Sequence, residues 1–416
     1  MGDRTILHSD CNCFYASVEH LYHPELAGKP LAVGGDPEAR HGIVLTADYI
    51  AKKYGVKTGM ALWQARQVCP NLIFLPPRMD LYLRFSKMAN EIYHEYSDFV
   101  EPYGIDESWI DVTASQSIKG DGVTIASEIS KRMKSELAIT VSIGVSYNKI
   151  FSKLGSDYKK PDAITTMFRH EIQNKAWTLP ASDLLYVGTS TSKKLSRMGI
   201  RTIGDIASAD ENYLISQFGK MGSILWAFAN GYDDSPVKSE NIHAPIKSVG
   251  NSTTTHRDLT TEDDIKIIIY MLAESVASRL RKHGFKCKVI EISVRDSELF
   301  SYTKQHKISH ATDLTGEIAN EAFLIFQSSY MWGKPIRSVG VRGCDLIVSE
   351  IYCEQMDLFD DYNKREKWRT ADATIDNLRK RFGYYSVQRG LMYCDIDLSM
   401  HDCESTHTVH PHGYFG

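Results

Sequence analysis

Asp10 stands where a short apolar run, Thr5-Ile6-Leu7-His8, gives way to a helical pattern that begins at Phe14. A carboxylate at a strand end beside a helix N-terminus suits a metal ion, although an Asp there commonly does no more than cap the helix. A second acidic group, the adjacent pair Asp106 and Glu107, falls in a tight turn between strand-forming residues, Val100 on one side and Trp109-Ile110 on the other. Neighbouring carboxylates repel unless a cation or solvent screens them, and a solvated hairpin tip is the plain alternative. Taken together, three carboxylates from two strand ends are what a pair of Mg²⁺ ions about 3.5–4 Å apart requires. One ion would activate an attacking oxygen, and both would neutralise leaving phosphates.

A basic set accompanies them. Lys149 and Lys153 are one helical turn apart, Lys159-Lys160-Pro161 follows, and Tyr49 and Lys52 lie on an earlier helix. Such a face is usually just solvated; beside a carboxylate–metal centre it suits a triphosphate or a DNA backbone. The chain as a whole does not attract polyanions: 48 Lys plus Arg against 52 Asp plus Glu give a formal charge of −4, so any phosphate site is local. Eight scattered cysteines without a C-x-x-C pair read as reduced thiols. The start lacks a signal-peptide core and no apolar run reaches about 18 residues, so a cytoplasmic protein without a membrane partner is expected.

The elements that must position these groups fall into several domains, because 416 residues exceed the roughly 250–300 that one core can serve. Residues 1–166 read as α+β, with strands near Leu31–Val33 and Ile43–Leu45, a long helix over 79–99 and a period-2 strand over Ile139–Ser146. Residues 170–235 are short helical segments punctuated by glycines, and 236–245, with Pro236 and Pro245, reads as a linker. From Lys247 a second α+β pattern begins. It has an extended run, a helix over about 262–283, strands near 286–296 and 335–348, and a helix between them at about 316–330. Residues 351–416 read as a polar tail with one helical stretch at about 371–382.

The segments Asp10 to Glu19, Gly28-Lys29-Pro30, Thr46-Ala47-Asp48-Tyr49, Gly104 to Ser108 and Ser142 to Lys149 closely resemble, in order and spacing, those of the Y-family translesion DNA polymerases, DinB/DNA polymerase IV-like. The resemblance is specific over about residues 5–166 and looser but collinear to about 350. It implies an α+β right-hand polymerase. The palm, ferredoxin-like, would take 1–13 and 76–166, the fingers 14–75 and a helical, helix-hairpin-helix-like thumb 167–235. A linker over 236–246, a βαββαβ little finger over 247–350 and a tail over 351–416 would follow. The implied activity is low-fidelity translesion synthesis, with a primer 3′-OH attacking a dNTP on two Mg²⁺ ions, for which Mn²⁺ can substitute.

Carried over residue by residue, the resemblance makes Asp10, Asp106, Glu107 and the backbone carbonyl of Cys11 the metal ligands. Tyr15 becomes the steric gate under the incoming sugar, beside Phe14. Thr46, Tyr49, Lys52 and Lys160 hold the nucleotide, and Asp157 is structural support. Lys52 stands where the family commonly has Arg, which implies less oriented phosphate binding. Asn12 replaces a second Asp, as in the UmuC-like branch, and leaves the branch open without touching the essential ligands.

Gly188-Thr189-Ser190 resembles the G-x-G turn of a helix-hairpin-helix with Ser for the second glycine, so Gly188 and Ser190 are expected on DNA phosphate. Lys247, Arg279, Arg281 and Lys282 are the expected DNA contacts of the little finger. Gln355-Met356-Asp357-Leu358-Phe359 resembles the bacterial sliding-clamp-binding pentapeptide through Gln355, Leu358 and Phe359. Primer–template DNA, dNTP and the clamp are thus the implied partners of a monomer. His401, Cys403, His407, His410 and His412 match no common zinc spacing. The rival reading is a non-catalytic DNA- and clamp-binding adaptor. Such a relative would have lost the carboxylates, and all three are present. A nucleotidyl cyclase shares the carboxylate logic but explains neither the helical module nor the clamp motif.

Overall fold

The computed structural model describes residues 3–35, 42–239, 245–350 and 362–399. They form two compact units that divide in the polar stretch before Pro245. The first unit begins β1 (Ile6–Cys11), α1 (Phe14–Tyr22), β2 (Leu31–Gly34), β3 (Val44–Ala47), α2 (Tyr49–Lys53), α3 (Leu62–Val68) and β4 (Ile73–Leu75). It continues with α4 (Met79–His94), β5 (Val100–Pro102), β6 (Glu107–Asp111), α5 (Gln116–Lys119), α6 (Gly122–Leu137), β7 (Val141–Ser146), α7 (Lys149–Tyr158) and β8 (Ile164–Met167). Five helices close it: α8 (Ile172–Lys175), α9 (Thr189–Arg197), α10 (Ile203–Ser208), α11 (Glu211–Phe218) and α12 (Lys220–Ala229).

A five-stranded sheet in the order β5-β6-β1-β7-β8 carries the chemistry. β1 is central, wholly buried and antiparallel to both neighbours, with Asp10 opposite Glu107 on β6 and opposite Ser142 on β7. Strand periodicity sorts its side chains. Leu7, Ser9 and Cys11 point to α4 and α6, as the contact of Ser9 Oγ with Tyr93 Oη (3.0 Å) records, whereas His8 and Asp10 point towards α7. α7 lies unusually close to the sheet. A Cβ on Gly144 would sit 1.8 Å from the Ser152 carbonyl, so only glycine fits there and the helix backbone rests on the strand.

The expected hairpin around Asp106 is present, with Val100 paired to Ile110 and Pro102 to Ser108. The helix expected over 79–99 ends at His94, because the chain from Ser97 joins that hairpin: Ser97 Oγ donates to the Asp111 carbonyl and Asp111 N–H to that of Phe99. A smaller sheet, β3-β2-β4, has its own cluster with α2 and α3. Phe14 and Val18 of α1 bury in the larger cluster with α4 instead, and the cluster of the helical module takes in Ile150, Phe151 and Leu154 of α7.

The second unit runs β9 (Ser248–Leu259), α13 (Glu262–Lys282), β10 (Phe285–Asp296), β11 (Ser301–Thr312), α14 (Thr315–Ser329) and β12 (Ile336–Val348), the βαββαβ order expected. Its sheet, β11-β10-β12-β9, turns Ile290, Ile292, Val294, Val339 and Val341 to the helices, and so Glu291, Ser293, Arg295 and Arg342 to the other face. β11 was not legible in advance. It is an edge strand whose Lys304, Gln305, His306 and Lys307 are exposed on both sides, so it lacks alternation.

Two helices of the expected tail belong to this unit: α15 (Tyr362–Phe382), longer than the stretch foreseen at 371–382, and α16 (Ile396–Ser399). Met392 and Leu398 bury in the core with α13 and α14. Arg281 bonds Asp372 and Asp376 of α15, and Glu274 of α13 accepts Arg379 and Arg389. The pentapeptide with Gln355, Leu358 and Phe359, and the histidines from His401 onward, lie outside the described residues. No described helix is long and apolar enough to cross a membrane.

Candidate active site

Backbone pairing brings the carboxylates together. Asp10 and Glu107 are register partners, and the Cys11 N–H donates to the Asp106 carbonyl (3.0 Å), which pins the hairpin turn to the end of β1. Beyond Cys11 the chain reverses through Cys13, left-handed at φ 47, into α1, which carries Tyr15. Asn12 braces this reversal. Its amide Oδ1 accepts from Ser142 Oγ (2.9 Å) and Tyr49 Oη (3.2 Å), and its Nδ2 donates to Thr140 Oγ1 (3.2 Å). Both ends of the neutral amide are bonded there.

Each carboxylate has a distinct environment. Lys160 Nζ donates to Asp10 Oδ2 (2.6 Å) and pairs with Asp157 Oδ1 (2.8 Å). Burial raises the Asp10 pKa and Lys160 opposes that rise; burial likewise disfavours the Lys160 charge, but Asp10 and Asp157 outweigh it and raise its pKa. Glu107 is held by Lys153 and by His8, whose Nε2 stands 3.2 Å from Glu107 Oε2 while its Nδ1 contacts Ser156 Oγ (2.8 Å). Burial alone would raise Glu107, yet the close approach of the His8 imidazole and the charge of Lys153 bring it down to about 2. For Asp106, loss of water and then repulsion from Asp10 and Glu107 outweigh a backbone hydrogen bond and the Lys160 charge and push it up to about 7.

Among the described residues no three His, Cys, Asp or Glu side chains converge as a ready-made metal cage, since Asp10 and Glu107 are each turned to a lysine. The donor chemistry nonetheless fits Mg²⁺. Three carboxylates and a backbone carbonyl offer hard oxygens, and the raised Asp106 marks a pocket of unbalanced negative charge that a divalent cation would relieve.

The expected nucleotide residues surround this edge. The Tyr15 hydroxyl is pushed up to about 12, first by burial and then by the Asp106 charge. Burial also raises Tyr49, which feels both Lys160 and Asp10. Lys52 donates to Cys13 Sγ (3.2 Å) and Thr46 is half-buried on β3. Phe14 is placed differently: its side chain is 2 % exposed in the core, so only its backbone is available to a ligand.

Sequence reasoning missed His8, Tyr82 and the role of Lys153. Lys149 and Lys153 share one helical face, yet Lys149 is buried against Glu101 (2.7 Å) and the Trp109 ring while Lys153 reaches Glu107. Of the expected DNA contacts, Gly188 and Ser190 are exposed at the N-terminus of α9, and nothing within 4 Å would obstruct a Cβ on Gly188. Lys247 and Lys282 are exposed. Arg279 bonds the Gly250 carbonyl, and Arg281 faces α15.

Residues 9–157 match the model of the impB/mucB/samB family, 246–358 that of the impB/mucB/samB family C-terminal domain, and 182–233 that of the DNA polymerase-iota thumb domain. The chain is 51% identical to a DNA polymerase IV of Acetivibrio thermocellus over 396 residues, 95% of this chain and 99% of the relative. It is 38% identical to DNA polymerase IV 1 of Bacillus subtilis over 388 residues, 93% of this chain and 92% of the relative. Among solved structures it is similar to a Y-family DNA polymerase chimera of Dbh and Dpo4, with TM-score 0.71 and 25% identity, covering 83% of this chain and 99% of that one.

Proposed function

Because this chain belongs to the impB/mucB/samB family of Y-family DNA polymerases, we propose that it extends primers by two-metal-ion nucleotidyl transfer at Asp10, Asp106 and Glu107. It is a DNA-directed DNA polymerase of the translesion class. The observation that carries the mechanism is backbone pairing at one sheet edge: Asp10 is the register partner of Glu107, and the Cys11 N–H bonds the Asp106 carbonyl, so the three acidic residues share the end of β1.

In this mechanism Asp10, Asp106, Glu107 and the Cys11 carbonyl would hold two Mg²⁺ ions, which would lower the pKa of the primer 3′-OH and neutralise charge on the triphosphate. Lys160 leaves Asp10 for the incoming phosphates, with Thr46, Tyr49 and Lys52 completing their cradle. His8 and Lys153 keep Glu107 ionised and aimed. Tyr15 lies under the sugar. Catalysis then rests on positioning and charge rather than on covalent chemistry by the protein.

The small sheet of β2, β3 and β4 with α2 and α3 is too slight to enclose a nascent base pair fully, which supports admission of damaged templates and low fidelity. DNA would meet the α9 N-terminus at Gly188 and Ser190. In the second unit it would meet Lys247, Lys282 and the polar sheet face with Arg295 and Arg342, giving salt-dependent affinity. Gln355, Leu358 and Phe359 are proposed to bind a bacterial sliding clamp.

The test is primer extension on undamaged and lesion-bearing templates with Mg²⁺ and dNTPs, comparing the natural chain with Asp106→Ala/Glu107→Ala. Extension by the first and DNA binding without extension by the second supports the mechanism. If both bind DNA and clamp but neither extends, the adaptor reading replaces it.

A further inference from the structure

We propose that Glu19 is a positioning residue for sugar selection, acting through Tyr82 to hold the Tyr15 ring at fixed depth. This rests on the reading of Tyr15 as the gate. Tyr15 and Glu19 lie one turn apart on α1, and Glu19 is 1 % exposed. A carboxylate so buried is costly unless fully paired. Its hydrogen bonds come from the start of α4 and the residue before it: Arg78 Nε donates to Oε1 (3.0 Å), Arg78 Nη2 donates to Oε2, and the Tyr82 hydroxyl donates to Oε1 (2.6 Å), while His23 Nε2 stands 3.9 Å from Oε2. Tyr82 is wholly buried, and burial together with this bond raises its hydroxyl pKa, which keeps it a donor.

The Tyr82 ring is the support on which Tyr15 rests. Their centroids are 4.3 Å apart and their planes differ by 9°, a face-to-face stack. Phe14 closes one side, tilted against both rings at 5.8 and 6.4 Å. Tyr15 therefore has no room to retreat unless Tyr82 turns, and Tyr82 turns only by breaking a buried bond to a charged acceptor.

The mechanical consequence bears on selectivity. A gate discriminates against a ribose hydroxyl only as far as it refuses to yield, because a ring that gives by a few tenths of an ångström admits the larger sugar. Stiffness here comes from the Glu19 carboxylate, at the far end of the Tyr82 ring. A merely structural Glu19, stapling α1 to α4, would affect dNTP and rNTP use alike. A positioning Glu19 would raise rNTP use when loosened.

The experiment measures kcat/KM for a dNTP and the matching rNTP with the full chain and with Tyr15→Ala, Tyr82→Leu, Tyr82→Phe and Glu19→Gln, each checked for cooperative melting. Tyr15→Ala should erase most discrimination. Tyr82→Leu should lower the dNTP/rNTP ratio about tenfold through increased rNTP incorporation, and Tyr82→Phe and Glu19→Gln by about three- to tenfold. If Tyr15→Ala changes the ratio and the Tyr82 and Glu19 variants do not, the gate stands and this proposal falls. If Tyr15→Ala itself leaves the ratio unchanged, the gate reading fails and takes the proposal with it. Should Tyr82→Leu not fold, Tyr82→Phe, which keeps the ring, decides.

Discussion

Lys160 Nζ lies 2.6 Å from Asp10 Oδ2, so the cation expected on the triphosphate occupies the carboxylate expected on the metal. The lysine balances Asp10, and in the proposed mechanism divalent ions would take its place there and leave it to the phosphates. Lys160→Ala should raise the dNTP KM about ten- to hundredfold, the worth of one charge-assisted hydrogen bond of about 1.5–3 kcal/mol, with Lys160→Arg recovering part. Steady-state kinetics checks this, and an unchanged KM removes Lys160 from the nucleotide site.

Asp372 ties α15 to the second unit, accepting from the Thr315 N–H (2.8 Å), Arg281 Nη1 (3.3 Å) and Arg389 Nη2 (3.3 Å). Asp372→Ala leaves two half-buried guanidiniums short of a partner, a change that costs about 3 kcal/mol. Amide exchange across residues 362–382 should accelerate roughly a hundredfold while α7 stays protected. Equal protection in both proteins would show that the network does not dock the helix.

Asp264 gives the second unit an acid limb. Burial would raise its pKa, but the Arg257 guanidinium and the backbone N–H groups of Thr260 and Thr261 hold it at about 2, below its ordinary 3.8. A depressed carboxyl contributes stability above its unfolded pKa and loses it as pH falls through the folded one. Calorimetry of the full chain should therefore show that unit weakening between about pH 4 and pH 2, and Asp264→Asn should flatten the decline. An identical decline in the variant assigns it to other carboxylates.

The proposed clamp contact can be tested apart from catalysis. Leu358→Ala with Phe359→Ala should abolish association with a bacterial clamp, measured by surface plasmon resonance, and leave distributive extension intact. Retained affinity would place the clamp contact elsewhere.

Much of this was legible from residue order. Asp10 at a strand end and the hairpin around Asp106 follow from periodicity and turn chemistry, whereas the βαββαβ order of the second unit came from the family resemblance, β11 having no alternation to show it. What escaped depends on long-range contact. Lys149 and Lys153 look equivalent on a helix surface, and only α7 resting on Gly144 separates a buried structural lysine from one that reaches Glu107. Arg281 looked like a DNA contact because its α15 partners are about 90 residues further on. Tyr82 gave no signal, since an aromatic on an amphipathic helix reads as core, which it also is.

The burial of Met392 and Leu398 with α13 sets an order in time on the ribosome. The first unit has all its described elements once the chain has passed residue 239, so it can fold while the rest is being made. The second cannot close its core until Leu398 has left the exit tunnel, several seconds after β12 at about 5–20 residues per second. During that interval the α13–α14 face lacks its cover, and a nascent chain stalled before residue 398 would carry a complete first unit beside an unfinished second one.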